Sequence, residues 1–242
     1  MNTKLLSIGH RGAAGYAPEN TLTAIEKGIS LGADLIEVDI QLTADQRLVV
    51  IHDERVDRTT NGRGAVEKMT FAELRKLDAG GGECIPEFSE VLDRVNGRVG
   101  LMAEIKSEGI GYYVASVVRD FHLNPPAIFA SFLHSELLKA RDALPNAKTL
   151  ALLERSQAPG VQFALDACAT HVGVDLYSTT ARSVSDFHSH NLIVFVYTLN
   201  DESEIALARQ LDVDGVVSDF PDRVGVCTPP LDPPYQAIRR RA

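Results

Sequence analysis

No run of apolar residues in this 242-residue chain is long enough to cross a bilayer, and cysteine is scarce. Cys84, Cys168 and Cys227 are odd in number, far apart and in no Cys-x-x-Cys pair, a pattern that supports neither a disulfide framework nor a zinc knuckle. Positive charge is in deficit as well. With 24 lysines and arginines against 33 acids, the net charge of −9 argues against a broad nucleic-acid surface, whose phosphate contacts need a basic field. It does not argue against one small phosphate group. The start, MNTKLLSIG, has a brief apolar segment and no small-residue cleavage pattern, so no secretory signal is expected; with the cysteine usage, this predicts a cytoplasmic protein. Nor does a Gly-x-Gly-x-x-Gly follow the first apolar run, so the dinucleotide site of a doubly wound open sheet is not evident.

What the chain does contain is a rhythm. Eight β-rich runs recur: KLLSIG, LIEVDI, LMAEI, AIFASF, KTLALL, HVGVDL, LIVFVYT and DGVVSD. Segments of helical spacing lie between most of them, such as Leu22, Ile25 and Ile29 after a helix cap expected at Asn20, with Gly32 closing the helix. Strand and helix alternate, which predicts a closed (β/α)8 TIM-type barrel built from residues 1–242 as a single domain. The interval from Leu35 to Leu101 is too long for one unit, so a small insertion is expected at about 43–85. Within it, RLVVIHD follows LIEVDIQL after a turn too short for a parallel crossover and should pair back antiparallel. With Thr43 and Gln46 flanking that turn, Glu37 is expected opposite His52. The helix SEVLDRV comes late, and the proline-rich tail at about 228–242, ending in three arginines, is expected to be extended.

Two carboxylates stand inside the apolar run LIEVDIQL. Strand alternation puts Ile36, Val38 and Ile40 on the face toward the helices and Glu37, Asp39 and Gln41 on the face toward the barrel interior. Such a pair repels and loses hydration unless cationic groups neutralise it. LMAEIK adds Glu104 and Lys106 at the same spacing, so three hard oxygen donors can meet, which favours Mg2+ or Ca2+ over zinc. A polar ion-pair layer, with Arg11 and Lys106 balancing the acids, is the alternative. His10 and His52 each end an apolar run, and imidazoles beside a metal can serve as general acid and base. Arg11, between Gly9 and Gly12, offers a planar fork to an oxyanion; with Lys106 it makes a phosphate clamp. Glu19, in PENT, either orients Arg11 or His10 or belongs to a helix start, and Tyr197 is either a pocket wall or a core aromatic.

The ordered set GHRG, PENT, EVDIQLT, VVIHDERVDRTTNGRG, LRKLDAG, EIK and DGVVSDFPD resembles the glycerophosphodiester phosphodiesterases over nearly the whole chain. The resemblance implies a TIM-type barrel with an insertion after the second strand. It also implies hydrolysis of a small-molecule glycerophosphodiester to sn-glycerol 3-phosphate and an alcohol. It assigns the metal to Glu37, Asp39 and Glu104, acid–base roles to His10 and His52, and phosphate binding to Arg11 and Lys106. Two departures stand out: a short segment between LDAG and IPEF, and Tyr197 where the family often has tryptophan. Rival readings are a phospholipase D-like enzyme acting on lysophospholipids or sphingomyelin, and a catalytically silent phosphate-binding barrel.

Overall fold

The structure, a computed structural model, describes residues 4–154 and 160–225; the proline-rich tail and Cys227 lie outside the described residues. In chain order the elements are β1 (Leu6–Gly9), α1 (Leu22–Ser30), β2 (Leu35–Leu42), β3 (Leu48–Val50), α2 (Phe71–Leu74), α3 (Phe88–Val95), β4 (Gly100–Ile105), α4 (Gly111–Phe121), β5 (Ile128–Ser131), α5 (His134–Ala143), β6 (Lys148–Leu152), α6 (Gln162–Asp166), β7 (His171–Asp175), α7 (Ala181–Ser189), β8 (Ile193–Tyr197), α8 (Glu202–Gln210), β9 (Gly215–Ser218) and α9 (Pro221–Gly225). All eight β-rich runs form strands. They pair in parallel from β1 through β2, β4 and onward to β9, which closes back on β1, so the barrel leaves no free edge in its wall.

Period-2 alternation separates two apolar layers. Ile36, Val38 and Ile40 of β2 and Leu101, Ala103 and Ile105 of β4 face outward and pack with Ile25, Phe88 and Leu92 of the surrounding helices. The alternate positions face inward, where Ile8, Met102, Leu150, Phe195 and Val217 fill the barrel. Space there is tight enough that a Cβ on Gly215 would lie 2.8 Å from the Phe195 ring. The barrel is therefore a packed core with room for chemistry only at its mouth.

β2 outruns β1. β1 ends at Gly9, opposite Ile36, and the edge it vacates is taken by β3, which runs antiparallel to the last part of β2. The register differs by one residue from the expected pairing: Ile40 faces Val50 and Gln41 faces Val49, and the Ile51 amide donates to the Asp39 carbonyl. Thr43 and Arg47 close the turn, and Gln46 takes a left-handed φ of 61°, which adds one residue to the loop. Glu37 and His52 are thus not cross-strand partners. The insertion then folds over its own small apolar cluster of Val49, Ile51, Val56, Val66, Leu74 and Ile85.

The first helix also starts differently. Thr21, not Asn20, is its N-cap, accepting from the Ala24 amide, whereas Gly32 follows the helix with φ 80° as expected. Asn20 is buried, and its carboxamide is used at the barrel mouth.

At the N-terminal floor of the barrel, His171 is only 4% exposed and leans on Phe195, with its Nδ1 2.7 Å from the Thr170 hydroxyl. Burial first, and Lys148 second, lower its imidazole to about 4. The neutral ring is thus favoured in the fold. Its stabilising contribution is complete above the unfolded value of about 6.5 and is lost as pH falls from there toward 4. In urea unfolding, the wild-type protein should lose about 2 kcal/mol more than His171→Gln between pH 7 and 4.5. Equal losses in the two proteins would contradict this assignment.

Candidate active site

β1 delivers its last residues to the mouth. The His10 amide donates to the Ser218 carbonyl, which fixes the chain as it leaves the sheet, and Arg11 then takes φ 49°. That turn points two amides at β2: Arg11 N donates to Glu37 Oε2 at 2.7 Å and Gly12 N to the Glu37 carbonyl at 3.1 Å. Gly12 is required there. Its φ is 92°, and a Cβ would sit 2.5 Å from the Ala24 backbone, so α1 packs directly on the turn.

Glu37 and Asp39 are almost completely buried, and the β2–β4 register sets Asp39 beside Glu104. Oxygens of the three carboxylates lie within 4.8 Å of one another. Burial, then Asp39 and Glu104, push the Glu37 carboxyl well above the usual range, and burial, then Asp39, raise Glu104. Cations and amides answer this charge. Lys106 Nζ is 2.8 Å from Glu104 and 3.6 Å from Asp39; burial alone would lower its ammonium, but the two carboxylates outweigh burial and raise it. Arg11 Nε lies 3.4 Å from Asp39, and Asn20 donates its amide to Asp39 at 2.8 Å while accepting from the Asp39 backbone. One atom is left over. Glu37 Oε1 is buried with no hydrogen-bond partner. Three hard oxygens, one of them orphaned in a buried position, and no cysteine among them fit a divalent cation of the Mg2+ or Ca2+ type.

Both histidines carry a carboxylate on Nδ1. His10 Nδ1 is 2.6 Å from Asp219, which is itself held by the Asn200 amide at 2.7 Å, and His52 Nδ1 is 2.6 Å from Asp53. Burial alone would raise Asp219, but the hydrogen bond and charge of His10, the bond from Asn200 and the charge of Arg11 together outweigh it and hold the carboxyl below the usual range. The bonds from Arg58, then the one from His52, keep Asp53 far below it. Ionised acceptors assign the proton to Nδ1, and Nε2 of His10 then accepts from Arg11 Nε at 3.2 Å. For His52, burial lowers the imidazole despite the pull of Asp39 and Asp53.

These groups line a cavity of about 250 Å³. One wall is polar, with His10, Arg11, Glu37, His52, Glu104 and Lys106; the other is apolar, with Met102, Phe132, Leu152, Tyr197 and Val217. Tyr197 meets Phe132 edge-on at 6.1 Å and anchors its hydroxyl on the Leu153 carbonyl, so it is a wall with a fixed orientation. Asp39 lies beneath the polar wall and Glu19 behind it, 2.6 Å from Arg11. A larger hollow of about 600 Å³ along α7 is lined by Thr180, Arg182, Asp186 and serines and contains none of these groups.

Asp219, Asn200, Asp53, Arg58 and Asn20 complete the network but were not among the expected site residues. Asp219 does follow a strand end, the same signal that marked His10 and His52. Asn20 and Arg58 carried no such signal, because their partners are set by the fold.

The chain is similar to known proteins over nearly its whole length. The model of the glycerophosphoryl diester phosphodiesterase family matches residues 10–223. A glycerophosphodiester phosphodiesterase of Bacillus subtilis is 34% identical over 248 residues, covering 90% of this chain and 85% of the relative. Among solved structures, a phosphodiesterase of Oleispira antarctica in complex with the product sn-glycerol-3-phosphate superposes with a TM-score of 0.84 at 27% identity, covering 90% of this chain and 94% of that one. A glycerophosphodiester phosphodiesterase of Agrobacterium tumefaciens does so with a TM-score of 0.81 at 29% identity, covering 92% of this chain and all of that one. With a matching barrel, and a family match that takes in every candidate site residue, the protein belongs to the glycerophosphoryl diester phosphodiesterase family and is an enzyme of that class.

Proposed function

We propose that the mouth of the barrel hydrolyses small glycerophosphodiesters to sn-glycerol 3-phosphate and a free alcohol, with one divalent cation, Mg2+ or Ca2+, held by Glu37, Asp39 and Glu104. The observation that carries this reading is the orphaned Glu37 Oε1 within a trio of carboxylates that share one cavity with two histidines. The product named for the Oleispira antarctica relative supports the glycerol phosphate half of the substrate. A cytoplasmic setting agrees with the free thiols of Cys84 and Cys168. Among the described residues, no helix is long and apolar enough to cross a membrane.

When bound, the cation supplies Lewis-acid neutralisation of phosphodiester oxygens. The chain's own residues do the rest. Arg11 and Lys106 are held at the cavity by Glu19, Asp39 and Glu104, so their positive charge faces a phosphate without further rearrangement of the backbone. One histidine takes the proton of the attacking oxygen as the new P–O bond forms. The other gives a proton to the departing alkoxide as the old P–O bond breaks. Asp219 and Asp53 hold the two rings in one tautomer and stabilise whichever ring is protonated. Phe132, Leu152 and Tyr197 form the apolar side that faces the rest of the substrate.

Glycerophosphocholine and glycerophosphoethanolamine should be turned over with Mg2+ or Ca2+ and not after chelation; undiminished turnover in chelator would contradict the metal assignment. His10→Ala and His52→Ala should each lower turnover by roughly two to four decades in folded protein, and near-normal rates would remove them from the mechanism. Asp219→Asn should lower kcat by about two decades with KM little changed, because His10 loses its ionised acceptor. An unchanged kcat would show that the ring needs no such partner.

A further inference from the structure

Arg58 belongs to none of the groups assigned above. It sits in the insertion, in the stretch between β3 and α2, and its side chain is 49% exposed. Yet its guanidinium is engaged on both sides. Toward Asp53, Nε donates at 2.7 Å and Nη2 at 2.9 Å; toward Glu19, Nη1 donates at 2.8 Å and Nη2 at 2.8 Å. Each carboxylate carries a second partner that belongs to the cavity. Asp53 Oδ1 is 2.6 Å from His52 Nδ1, and Glu19 Oε1 accepts from Arg11 Nη1 at 2.6 Å. Arg11 in turn reaches His10 Nε2. An unbroken line of hydrogen bonds therefore runs from His52 through Asp53, Arg58, Glu19 and Arg11 to His10.

We propose that Arg58 is a positioning residue for the reaction: one planar guanidinium, forked onto Asp53 and Glu19, sets the distance between the His52 ring on the insertion and the Arg11–His10 pair that follows β1. This rests on the function proposed above. A lone exposed ion pair contributes about 1 kcal/mol or less, and although bidentate geometry within a network raises that share, stability does not account for the direction in which this network points. Two bidentate forks on one rigid plane instead fix direction. Beyond Ile51 the β2–β3 ladder stops; Gln41 Nε2 still holds the His52 carbonyl at 2.9 Å, which fixes the backbone there and leaves the direction of the ring to Asp53 and, through it, to Arg58. Lysine cannot replace it: an ammonium keeps the charge between the two carboxylates but offers no plane to align them.

The test uses the full chain, with Arg58→Lys as the variant that keeps the charge balance and Arg58→Ala as the one that opens a space. In Arg58→Lys, kcat for glycerophosphocholine should fall about 10- to 100-fold with KM within about twofold of wild type. Its thermal midpoint should move by no more than about 3 °C. Methylguanidinium should restore part of the kcat of Arg58→Ala. A readout independent of turnover comes from long-range proton–nitrogen spectra of the histidine rings in metal-free protein, with His52→Gln assigning the signal. Wild type should show a protected Nδ1 proton on His52, and Arg58→Lys should lose that protection. An unchanged kcat in Arg58→Lys, a loss confined to KM, or an unchanged His52 ring signal would overturn the proposal. Wild-type protein that fails to turn over the substrate would count against the proposed function instead, and the ring spectra would still decide the role of Arg58.

Discussion

Mutual repulsion among Glu37, Asp39 and Glu104 organises the mouth of this barrel. Like charges about 4 Å apart oppose each other by several kcal/mol at an effective dielectric near 20, which is a large share of the 5 to 15 kcal/mol that holds a typical domain folded. The surrounding contacts make sense as answers to that charge. Two cations, the carboxamide of Asn20 and the backbone amide of Arg11, set in a left-handed turn, converge on the three side chains. They still leave Glu37 Oε1 unpaired. A structural ion-pair layer would be expected to satisfy all its buried oxygens. The residual deficit is therefore better understood as room for a further positive charge than as a contribution to stability.

The barrel's construction makes this concentration possible. Its interior is filled with Ile8, Met102, Leu150 and Phe195 below the mouth, so the cluster of charged groups gathers at the C-terminal strand ends, while the floor holds the neutral-favouring ring of His171. There the early end of β1 and the overrun of β2 let an antiparallel strand and an insertion lean over one side. That side holds the cations, carboxylates and histidines. The opposite side, Met102 of β4 together with the ends of β5, β6, β8 and β9, contributes an apolar wall, and the resulting cavity is chemically two-faced. Such a division suits a substrate with a phosphodiester at one end of its contacts and a less polar portion at the other.

Much of this was legible in the sequence because each signal was local. Inward and outward positions of β2 and β4 follow from alternation alone, and Glu37, Asp39 and Glu104 fall on the inward face for that reason. His10 and His52 were visible as polar residues ending apolar runs. The hairpin register was not, since the left-handed Gln46 lengthens the turn by one residue and shifts every partner of β3. Asn20 looked like a helix cap because Asn is a good one; Thr21 takes that role and frees Asn20 for Asp39, a choice made by packing nineteen positions away along the chain. Asp219 shares the strand-end signal, but its pairing with His10 depends on closure of the barrel, and Arg58 depends on the insertion folding back, which has no local signature.

On the function proposed above, the three carboxylates form a cation site rather than a self-satisfied polar layer. Calorimetric titration of metal-free protein with Ca2+ and Mn2+, set beside Asp39→Asn and a distant Glu83→Gln control, tests it most directly. Wild type and the control should each show a single saturable site, and Asp39→Asn should lose it. Absence of saturable binding in wild type, or equal binding in Asp39→Asn, would contradict it.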